Sequence, residues 1–459
     1  MSAQQQNQTT VNYTPEQQRG IDLVTEAART GTRGVIAFNG PAGSGKTTLV
    51  RAITDRLGDA VQLVSPTHKA NRRLAAITGR DDVKTIASTT RRFLGAEDAD
   101  DRGVLDAIAT RRQRLFFGDG VKVSKAAVVI CDEASMLSRR DFEQLQRYAA
   151  NSLLVLIGDA FQLAPVGDAH FSVFHSGLET VHLSQVHRQA AESSVLVAAN
   201  HLRIRYVDGE CSTSDCLLSL PRVSMEDSMK LIVANWRNYR FITITHTNGA
   251  RQQITRVLRH QLNFTKDDLH EREPLLIKKA SKTASFHKGD ILRFVRWAEA
   301  AREITLNVVI DQTRRKVTRK IQRAVLRDTD GKEHTTILLL HALTDSRDEH
   351  KEIAAIEKAT DDTVTQAELA YVITAHSAQG SEWDEVLFFH DEMFMPGREN
   401  RFRFAYTAIT RARKTCYLVK LNRCAITTTS FDPEPPEVKF EDLPDATKAL
   451  FSNLHKKAA

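Results

Sequence analysis

The stretch "VIAFNGPAGSGKTT", residues 35–48, constrains the fold of this chain more than any other feature. Residues 40–47 match G-x-x-x-x-G-K-[ST], a glycine-rich turn that joins a buried strand to a helix and surrounds phosphate with backbone N–H groups. The apolar run before the turn and the helix-forming run after it supply that context. The pattern therefore predicts a nucleotide site, with phosphate contacts from Gly40, Ala42, Gly43, Ser44, Gly45, Lys46, Thr47 and Thr48.

Five polar residues predict hydrolysis of ATP with Mg²⁺; two lie in this turn and three follow later strands. Lys46 is expected to reach the β and γ phosphates, and the Thr47 hydroxyl to ligate the metal. In "VVICDEAS", Asp132 follows a buried strand, where it can hold Mg²⁺ through water, and Glu133 can polarise the attacking water. Gln162 in "LLVLIGDAFQLAPVG" lies just beyond another strand, where a neutral amide can sense the γ-phosphate.

Apolar runs that end in polar residues recur along the chain and indicate strands of parallel sheets. They occupy residues 35–38, 61–64, 127–131 and 153–157 in the first half, and residues 241–245, 371–374, 385–389 and 415–419 in the second. The stretches between them are long enough for crossover helices, so the predicted fold class is α/β with two such domains.

Two segments interrupt this pattern. Residues 88–125 contain "LFFGDGVKV", in which Asp119-Gly120 between apolar runs predicts a β-hairpin. Residues 280–345 are rich in β-formers and predict a small β-barrel inserted into the second domain.

Composition limits the remaining possibilities. A chain of 459 residues is too long for one core, and its net charge of +7 suits a polyanion partner. No run of 18 apolar residues occurs, so no membrane span is expected. The five cysteines are unpatterned, which favours a reduced, cytoplasmic protein. Residues 1–13 suggest a disordered lead, and residues 426–459 a proline-rich linker and tail.

Seven motifs in a fixed order carry a close resemblance to a known family. They are "GPAGSGKT", "VSPTHKA", "CDEAS", "GDAFQLAPV", "LSQVHRQ", "TAHSAQGSEWD" and "YTAITRAR". The set resembles the motifs of superfamily-one DNA helicases. The glutamine-containing and histidine-containing motifs resemble those of the RecD/Dda branch (superfamily 1B), and the phage Dda type is the most similar.

The resemblance implies a domain organisation. Two RecA-like P-loop domains would carry an inserted β-hairpin pin and a small SH3-like β-barrel. The corresponding ranges are 14–87 and 126–190 for domain 1A, 88–125 for the pin, 191–279 and 346–425 for domain 2A, and 280–345 for the barrel.

The resemblance also assigns residues around ATP. Gln17 would read the adenine edge, and Glu382 would touch the ribose or orient an arginine. Arg188 and Arg411 would act as arginine fingers on the γ-phosphate, although an arginine in such a position, taken singly, is more often a solvated helix residue.

For DNA, the resemblance implies mostly hydroxyls and small polar groups that grip phosphates without reading sequence. They are Pro66, Thr67, His68, Thr245, Thr247, Asn248, His376 and Ser377. Phe116 or Phe117 in the pin could stack on a base, or both rings could simply pack the hairpin onto its domain. Ala87 stands where a histidine is usual and Ser377 where a lysine is common; each departure could weaken the grip on DNA or signal a different substrate preference.

The function implied is ATP-driven 5′ to 3′ movement on single-stranded DNA with unwinding of duplexes. The expected partners are single-stranded DNA and single-strand/duplex junctions, and the protein is expected to be a monomer that could contact single-strand-binding or replisome proteins. Two alternatives stay open: a DNA-stimulated ATPase or translocase that unwinds poorly, and a motor subunit of a recombination complex. No nuclease constellation occurs in the sequence.

Overall fold

The protein is described from a computed structural model. The structure describes residues 12–90, 123–165, 168, 171–185, 193–265, 268–310, 313–341, 352–353, 355–356, 359–360, 362–390 and 397–420. The predicted hairpin with Phe116 and Phe117, the candidate arginine finger Arg188, and the tail after residue 420 lie outside the described residues.

The first sheet is parallel throughout and carries the glycine-rich turn. Its strands are β1 (Gly34–Asn39), β2 (Val61–Ser65), β3 (Lys84–Thr85), β4 (Val128–Cys131), β5 (Leu153–Gly158) and β6 (Glu179–His182), in the spatial order β3-β2-β4-β5-β1-β6. Its helices are α1 (Pro15–Thr30), α2 (Lys46–Leu57), α3 (His68–Thr78), α4 (Ile86–Thr90) and α5 (Arg139–Tyr148). Apolar side chains such as Phe38, Leu49 and Ile53 form its core.

The second sheet is also parallel. Its strands are β7 (Phe241–Thr245), β14 (Val372–Thr374), β15 (Trp383–His390) and β16 (Ala412–Lys420), in the order β14-β7-β15-β16. Its helices are α6 (Ser194–Val207), α7 (Met225–Asn235), α8 (Asn248–Gln261), α9 (Ala375–Ala378) and α10 (Arg398–Ile409). Each of the eight predicted apolar runs overlaps a strand, and the α/β class with two parallel sheets is confirmed.

A third sheet lies between β7 and β14 in the chain. It contains β8 (Pro274–Lys279), β9 (Ile291–Trp297), β10 (Arg302–Ile310), β11 (Thr313–Arg327), β12 (Glu333–Leu340) and β13 (Val364–Leu369). Strand β9 pairs with both β8 and β11, which closes β9, β11, β12, β13 and β8 into a ring. The sheet extends on both sides of residues 280–345, because the largely buried strands β8 and β13 pair with each other and complete the ring. The SH3-like identity of this barrel remains a prediction.

Candidate nucleotide and nucleic-acid site

The glycine-rich turn leaves β1 at Asn39 and enters α2 at Lys46. Gly43 and Gly45 have φ values of 81° and 77°, the left-handed region that favours glycine. A side chain on Gly40 would overlap the Ser44 hydroxyl and Leu183. The three glycines of the motif are therefore required by the shape of the turn, which presents its backbone N–H groups at the N-terminus of α2.

The polar atoms of this turn fit a bound nucleotide. The Lys46 ammonium donates to the carbonyl oxygens of Gly40 (2.7 Å) and Pro41 (2.8 Å), which holds it over the turn. Within the residues that the structure describes, the Ser44 hydroxyl and the Gln162 Oε1 are buried without a hydrogen-bond partner. Since buried polar atoms are normally paired, the Ser44 hydroxyl is available to donate to a phosphate oxygen, and Gln162 Oε1 is available to accept from the attacking water.

Asp132 and Glu133 follow β4 at the same edge of the sheet. The Asp132 N–H donates to the Val64 carbonyl (3.1 Å), and Glu133 has a φ of 55°, which is unusual for a residue with a side chain. Such strain is typical of functional positions. Burial raises the pKa of Asp132 to about 6, and the negative charge of Glu133 adds to the rise.

The acidic groups are suited to Mg²⁺ rather than to a metal held by protein alone. No group of three or more His, Cys, Asp or Glu able to hold a metal occurs among the described residues. Mg²⁺ usually takes one or two carboxylates and completes its shell with phosphates and water. Asp132 and the Thr47 hydroxyl fit that requirement.

Arg73 on α3 connects the candidate base to the second parallel-sheet domain. Its Nη1 lies 2.8 Å from Glu382 Oε1 and 3.6 Å from Glu133 Oε1. The other Glu382 oxygen accepts from Arg413 Nε at 3.2 Å. Sequence reasoning missed Arg73, because Arg72 and Arg73 in "NRRL" look like the solvated face of a helix.

Tyr406 on α10 connects the phosphate turn to the strand that precedes Gln162. Its hydroxyl accepts the Ala42 N–H at 2.9 Å and donates to the Asp159 carboxylate. The side chain is fully buried, and its ring meets Phe161 edge-on with centroids 5.1 Å apart. Burial beside Asp159 raises the pKa of Tyr406 well above its usual value, so the hydroxyl keeps its proton. Tyr406 lies inside "YTAITRAR", which was its only sequence signal.

Leu163, which follows β5, is hydrogen-bonded by residues of two second-domain motifs, "YTAITRAR" and "TAHSAQGSEWD". The Leu163 N–H donates to the Thr407 hydroxyl (3.0 Å), and the Gln379 amide donates to the Leu163 carbonyl (3.0 Å). Gln162 lies next to these bonds and is 5% exposed. A movement of Thr407 or of Gln379 would therefore displace the segment that carries Gln162.

Arg411 is buried, and its bonds stay within the second domain. Nε donates to the Thr407 carbonyl (3.1 Å), Nη1 to the Ser381 carbonyl (3.4 Å) and Nη2 to the Thr410 hydroxyl (3.2 Å). Its role on the γ-phosphate stays a prediction.

Gln17 is buried against the phosphate turn. Its Nε2 donates to the Ser44 carbonyl (3.2 Å), and its Oε1 accepts the Thr14 N–H (2.9 Å) as part of a capping box on α1. The amide thus ties α1 to the turn, and its contact with adenine stays a prediction.

Three threonines among or beside the predicted DNA residues cap helices at strand ends. Thr67, Thr247 and Thr374 accept the N–H groups of Ala70 (3.2 Å), Ala250 (3.1 Å) and Ser377 (3.4 Å). The capped helices α3, α8 and α9 follow β2, β7 and β14. Each threonine thus lies at the carboxyl end of a parallel strand, where ligands of open α/β sheets bind.

The remaining predicted DNA residues differ in accessibility. Asn248 and His376 are exposed, Pro66 and Ser377 are half-buried, and Thr245 is only 1% exposed. Thr245 therefore lies below the surface in the described structure.

His68 faces the third sheet. Its ring stacks on His287 with centroids 3.8 Å apart, and burial together with His287 lowers the pKa of His68. The neighbouring Arg72 pairs with the buried Asp290.

The two parallel-sheet domains approach each other at Thr67 and Gly380. A Cβ on Gly380 would lie 3.2 Å from the Thr67 hydroxyl oxygen, and Gly380 has a φ of 73°. The predicted DNA residues of "VSPTHKA" and "TAHSAQG" are therefore neighbours.

Comparison with known proteins shows similarity to helicases in both halves of the chain. A family described as an AAA domain matches residues 12–210, and one described as a UvrD-like helicase C-terminal domain matches residues 369–419. The "ATP-dependent RecD2 DNA helicase" of Deinococcus radiodurans is 29% identical over 392 residues, which are 83% of this chain and 46% of the relative. The "ATP-dependent DNA helicase dda" of Enterobacteria phage T4 is 30% identical over 192 residues, which are 39% of this chain and 40% of the relative.

By sequence, the chain is therefore similar to superfamily-one helicases of the RecD/Dda branch. The chain spans less than half the length of each of these two relatives. A solved structure of Pif1 helicase from Bacteroides with ADP-AlF3 and ssDNA is 15% identical, with a TM-score of 0.49, and the match covers 97% of this chain and 98% of that one. In the described portion of the chain, no helix is long and apolar enough to cross a membrane.

Proposed function

We propose that the chain is an ATP-dependent DNA helicase that moves 5′ to 3′ along single-stranded DNA and separates duplex strands. The observation that carries the proposal is the position of Tyr406. One hydroxyl of the second domain bonds both the phosphate turn at Ala42 and the carboxylate of Asp159. Because this contact joins the phosphate turn to the second domain, a nucleotide-dependent change at the turn would move the second domain and so couple hydrolysis to domain movement.

The nucleotide would be held by groups of the first domain. Lys46 and the N–H groups of the turn would bind the phosphates, and Thr47 and Asp132 would hold Mg²⁺. The metal, when bound, neutralises charge that develops on the phosphate oxygens. Glu133 would accept the proton of the attacking water, and Gln162 would orient that water with its free Oε1.

The second domain would respond through its charged groups. Arg73 joins Glu133 to Glu382, so the candidate base and the second domain share one guanidinium. Arg411 would turn from the carbonyls of Thr407 and Ser381 towards the γ-phosphate when the domains close. Arg188 would supply a second cation.

Single-stranded DNA would lie across the carboxyl ends of β2, β7 and β14. The hydroxyls of Thr67, Thr247 and Ser377 and the exposed Asn248 and His376 would contact phosphates. These groups fix the position of a strand without reading its sequence, which suits a motor that must pass any base.

We further propose that the protein acts as a cytoplasmic monomer on single-strand/duplex junctions. The four described cysteines, Cys131, Cys211, Cys216 and Cys416, are free, which supports a reducing compartment.

The test combines two measurements on one preparation. ATP hydrolysis is measured with and without oligo-dT, and strand separation is measured on a forked duplex. The proposal expects hydrolysis that DNA stimulates and separation that requires ATP, with both activities lost in Lys46→Ala. Hydrolysis without separation would identify a translocase or a motor subunit instead, and hydrolysis that DNA leaves unchanged would contradict the proposal.

A further inference from the structure

Strands β10 and β11 form an unusually basic two-stranded ribbon at one side of the barrel. Residues Arg302–Ile310 pair antiparallel with Thr313–Ile321. Seven of the fifteen residues of β11 are Arg or Lys, and none is acidic. Like charges at this density repel one another, and a negatively charged partner would relieve that repulsion.

The ribbon has two different faces, because side chains alternate along a strand. One face packs into an apolar cluster through Val308, Ile310, Val317 and Ile321, against Leu339, Ile356 and Val364. The other, which we call the open face, consists of Glu303, Thr305, Asn307, Val309, Arg314, Lys316, Thr318 and Lys320. All eight side chains of the open face are exposed.

Three of the four cations elsewhere on β11 have ion-pair partners within the protein, and Arg315 has none among the described residues. Arg319, Arg323 and Arg327 pair with Glu352, Glu299 and Glu333. The odd-numbered side of the strand is therefore largely neutralised where it passes over the barrel.

The cations of the open face have fewer acidic partners than those on the rest of β11. Lys320 lies opposite Glu303 and helps to lower the pKa of Asp268. Among the residues that the structure describes, Arg314 and Lys316 have no carboxylate within ion-pair distance. The open face thus carries two cations that no carboxylate of the described residues neutralises.

We propose that the open face binds the phosphate backbone of duplex DNA. Positions two apart on a strand are separated by about 7 Å, so Arg314, Lys316 and Lys320 form a row of cations along one line of phosphates. The hydroxyls of Thr305 and Thr318, which lie 3.2 Å apart, and the Asn307 amide add hydrogen-bond donors for phosphate oxygens.

Two features favour a duplex over a single strand. The open face has no aromatic side chain, so it lacks the stacking platform that single-strand sites use. A two-stranded ribbon also has the width to enter a major groove, where both backbones are within reach. The inference rests on the proposed function, since a helicase meets duplex DNA ahead of the junction.

The test uses the full chain and a pair of charge-matched variants. Arg314→Gln/Lys316→Gln removes the two unpaired cations of the open face. Arg33→Gln/Arg147→Gln removes two exposed arginines of the first-sheet domain and serves as the control. The dissociation constant is measured by fluorescence anisotropy for a blunt duplex and for oligo-dT at several salt concentrations, together with oligo-dT-stimulated ATPase.

The open-face variant is expected to bind the duplex about tenfold more weakly, and the slope of log Kd against log salt concentration falls by about 2, because each phosphate contact contributes about 0.9. Its binding of oligo-dT and its stimulated ATPase stay at the level of the control. Unchanged duplex affinity, an equal loss in the control, or an equal loss for oligo-dT would overturn the inference.

A third outcome concerns edge protection, since exposed lysines and arginines can also keep sheet edges from pairing. Self-association of the open-face variant in gel filtration with unchanged duplex affinity would assign that role and overturn the inference. Failure of the proposed function is recognised separately, because oligo-dT would then not stimulate ATP hydrolysis by the wild-type protein.

Discussion

Arg73 Nη1 and Glu382 Oε1 lie 2.8 Å apart and join the first parallel-sheet domain to the second. The same Nη1 is 3.6 Å from Glu133 Oε1, so one guanidinium is shared by the candidate base and a residue of the opposite domain. The pair is only partly exposed, with side-chain exposures of 33% and 21%. We infer that closing or opening the cleft changes how firmly Glu133 is held.

The first prediction concerns this pair. Arg73→Ala is expected to lower kcat for DNA-stimulated ATP hydrolysis about tenfold or more with little change in KM, because Glu133 loses its positioning contact but the phosphate turn is intact. Glu382→Gln should lower kcat less, since Arg73 keeps Glu133 as a partner. The measurement is a double-mutant cycle in kcat, with an expected coupling of about 1 kcal/mol. Strictly additive effects would show that the two residues act independently.

The second prediction concerns the Tyr406 hydroxyl. Tyr406→Phe leaves the Ala42 N–H and the buried Asp159 carboxylate without their shared partner, so the free energy of unfolding should fall by about 1–3 kcal/mol and KM for ATP should rise. Tyr417→Phe removes a half-buried hydroxyl that makes no hydrogen bond to the described residues and should change neither quantity. Urea unfolding and steady-state kinetics check both variants; equal behaviour of the two would contradict the bridging role.

The third prediction concerns the close approach of the two domains. Gly380→Ala places a methyl group 3.2 Å from the Thr67 hydroxyl oxygen at a φ of 73°, so the domains should close less well and DNA stimulation of ATPase should fall several-fold. Gly31→Ala introduces a side chain at a similar φ of 69° at the end of α1, with no described atom within 4 Å of the new methyl group. Both substitutions place a side chain at a left-handed φ, at a cost of about 1–2 kcal/mol. A similar loss of stimulation in both would indicate strain rather than obstructed closure.

The fourth prediction concerns pH and a site remote from ATP. Burial lowers the pKa of His341 to about 4, and its ring bonds Gln366 Oε1 at 3.0 Å. Because the unfolded chain binds this proton near pH 6.5 and the folded chain near pH 4, His341 favours folding fully above pH 6.5, and its contribution declines as pH falls towards 4. The expected decline is up to about 3 kcal/mol.

The measurement compares the free energy of unfolding of wild type and His341→Gln at pH 7 and pH 4.5. The difference between the two proteins should shrink or reverse at the lower pH, since the variant has no imidazole to protonate. A difference that stays constant with pH would show that His341 keeps an ordinary pKa in the folded state.

Much of the fold was predictable because buried parallel strands are short apolar runs. Strands such as β4 and β5 are buried along their whole length and therefore stand out in the sequence. Strands β3 and β6 were missed. β3 has two residues and β6 reads "ETVH", and both lie at edges of the first sheet, where polar residues are tolerated.

The candidate site was predictable only where one segment carries its own signal. The phosphate turn and the Asp132-Glu133 pair are local patterns in which residue type and spacing already limit the chemistry. Arg73 and Tyr406 act on groups that are distant in the chain, so nothing in "NRRL" or "YTAIT" identifies their partners. The barrel likewise includes β8 and β13, which lie outside the β-rich segment 280–345 and pair with each other although they are distant in the chain.

We propose that one nucleotide site, contacted by both domains, drives directional movement along DNA. ATP-driven strand separation is measured on two partial duplexes, one with a 5′ single-stranded tail and one with a 3′ tail, with Lys46→Ala as the inactive control. We expect separation of the 5′-tailed substrate alone. Separation of the 3′-tailed substrate, or of neither while DNA still stimulates hydrolysis, would contradict it.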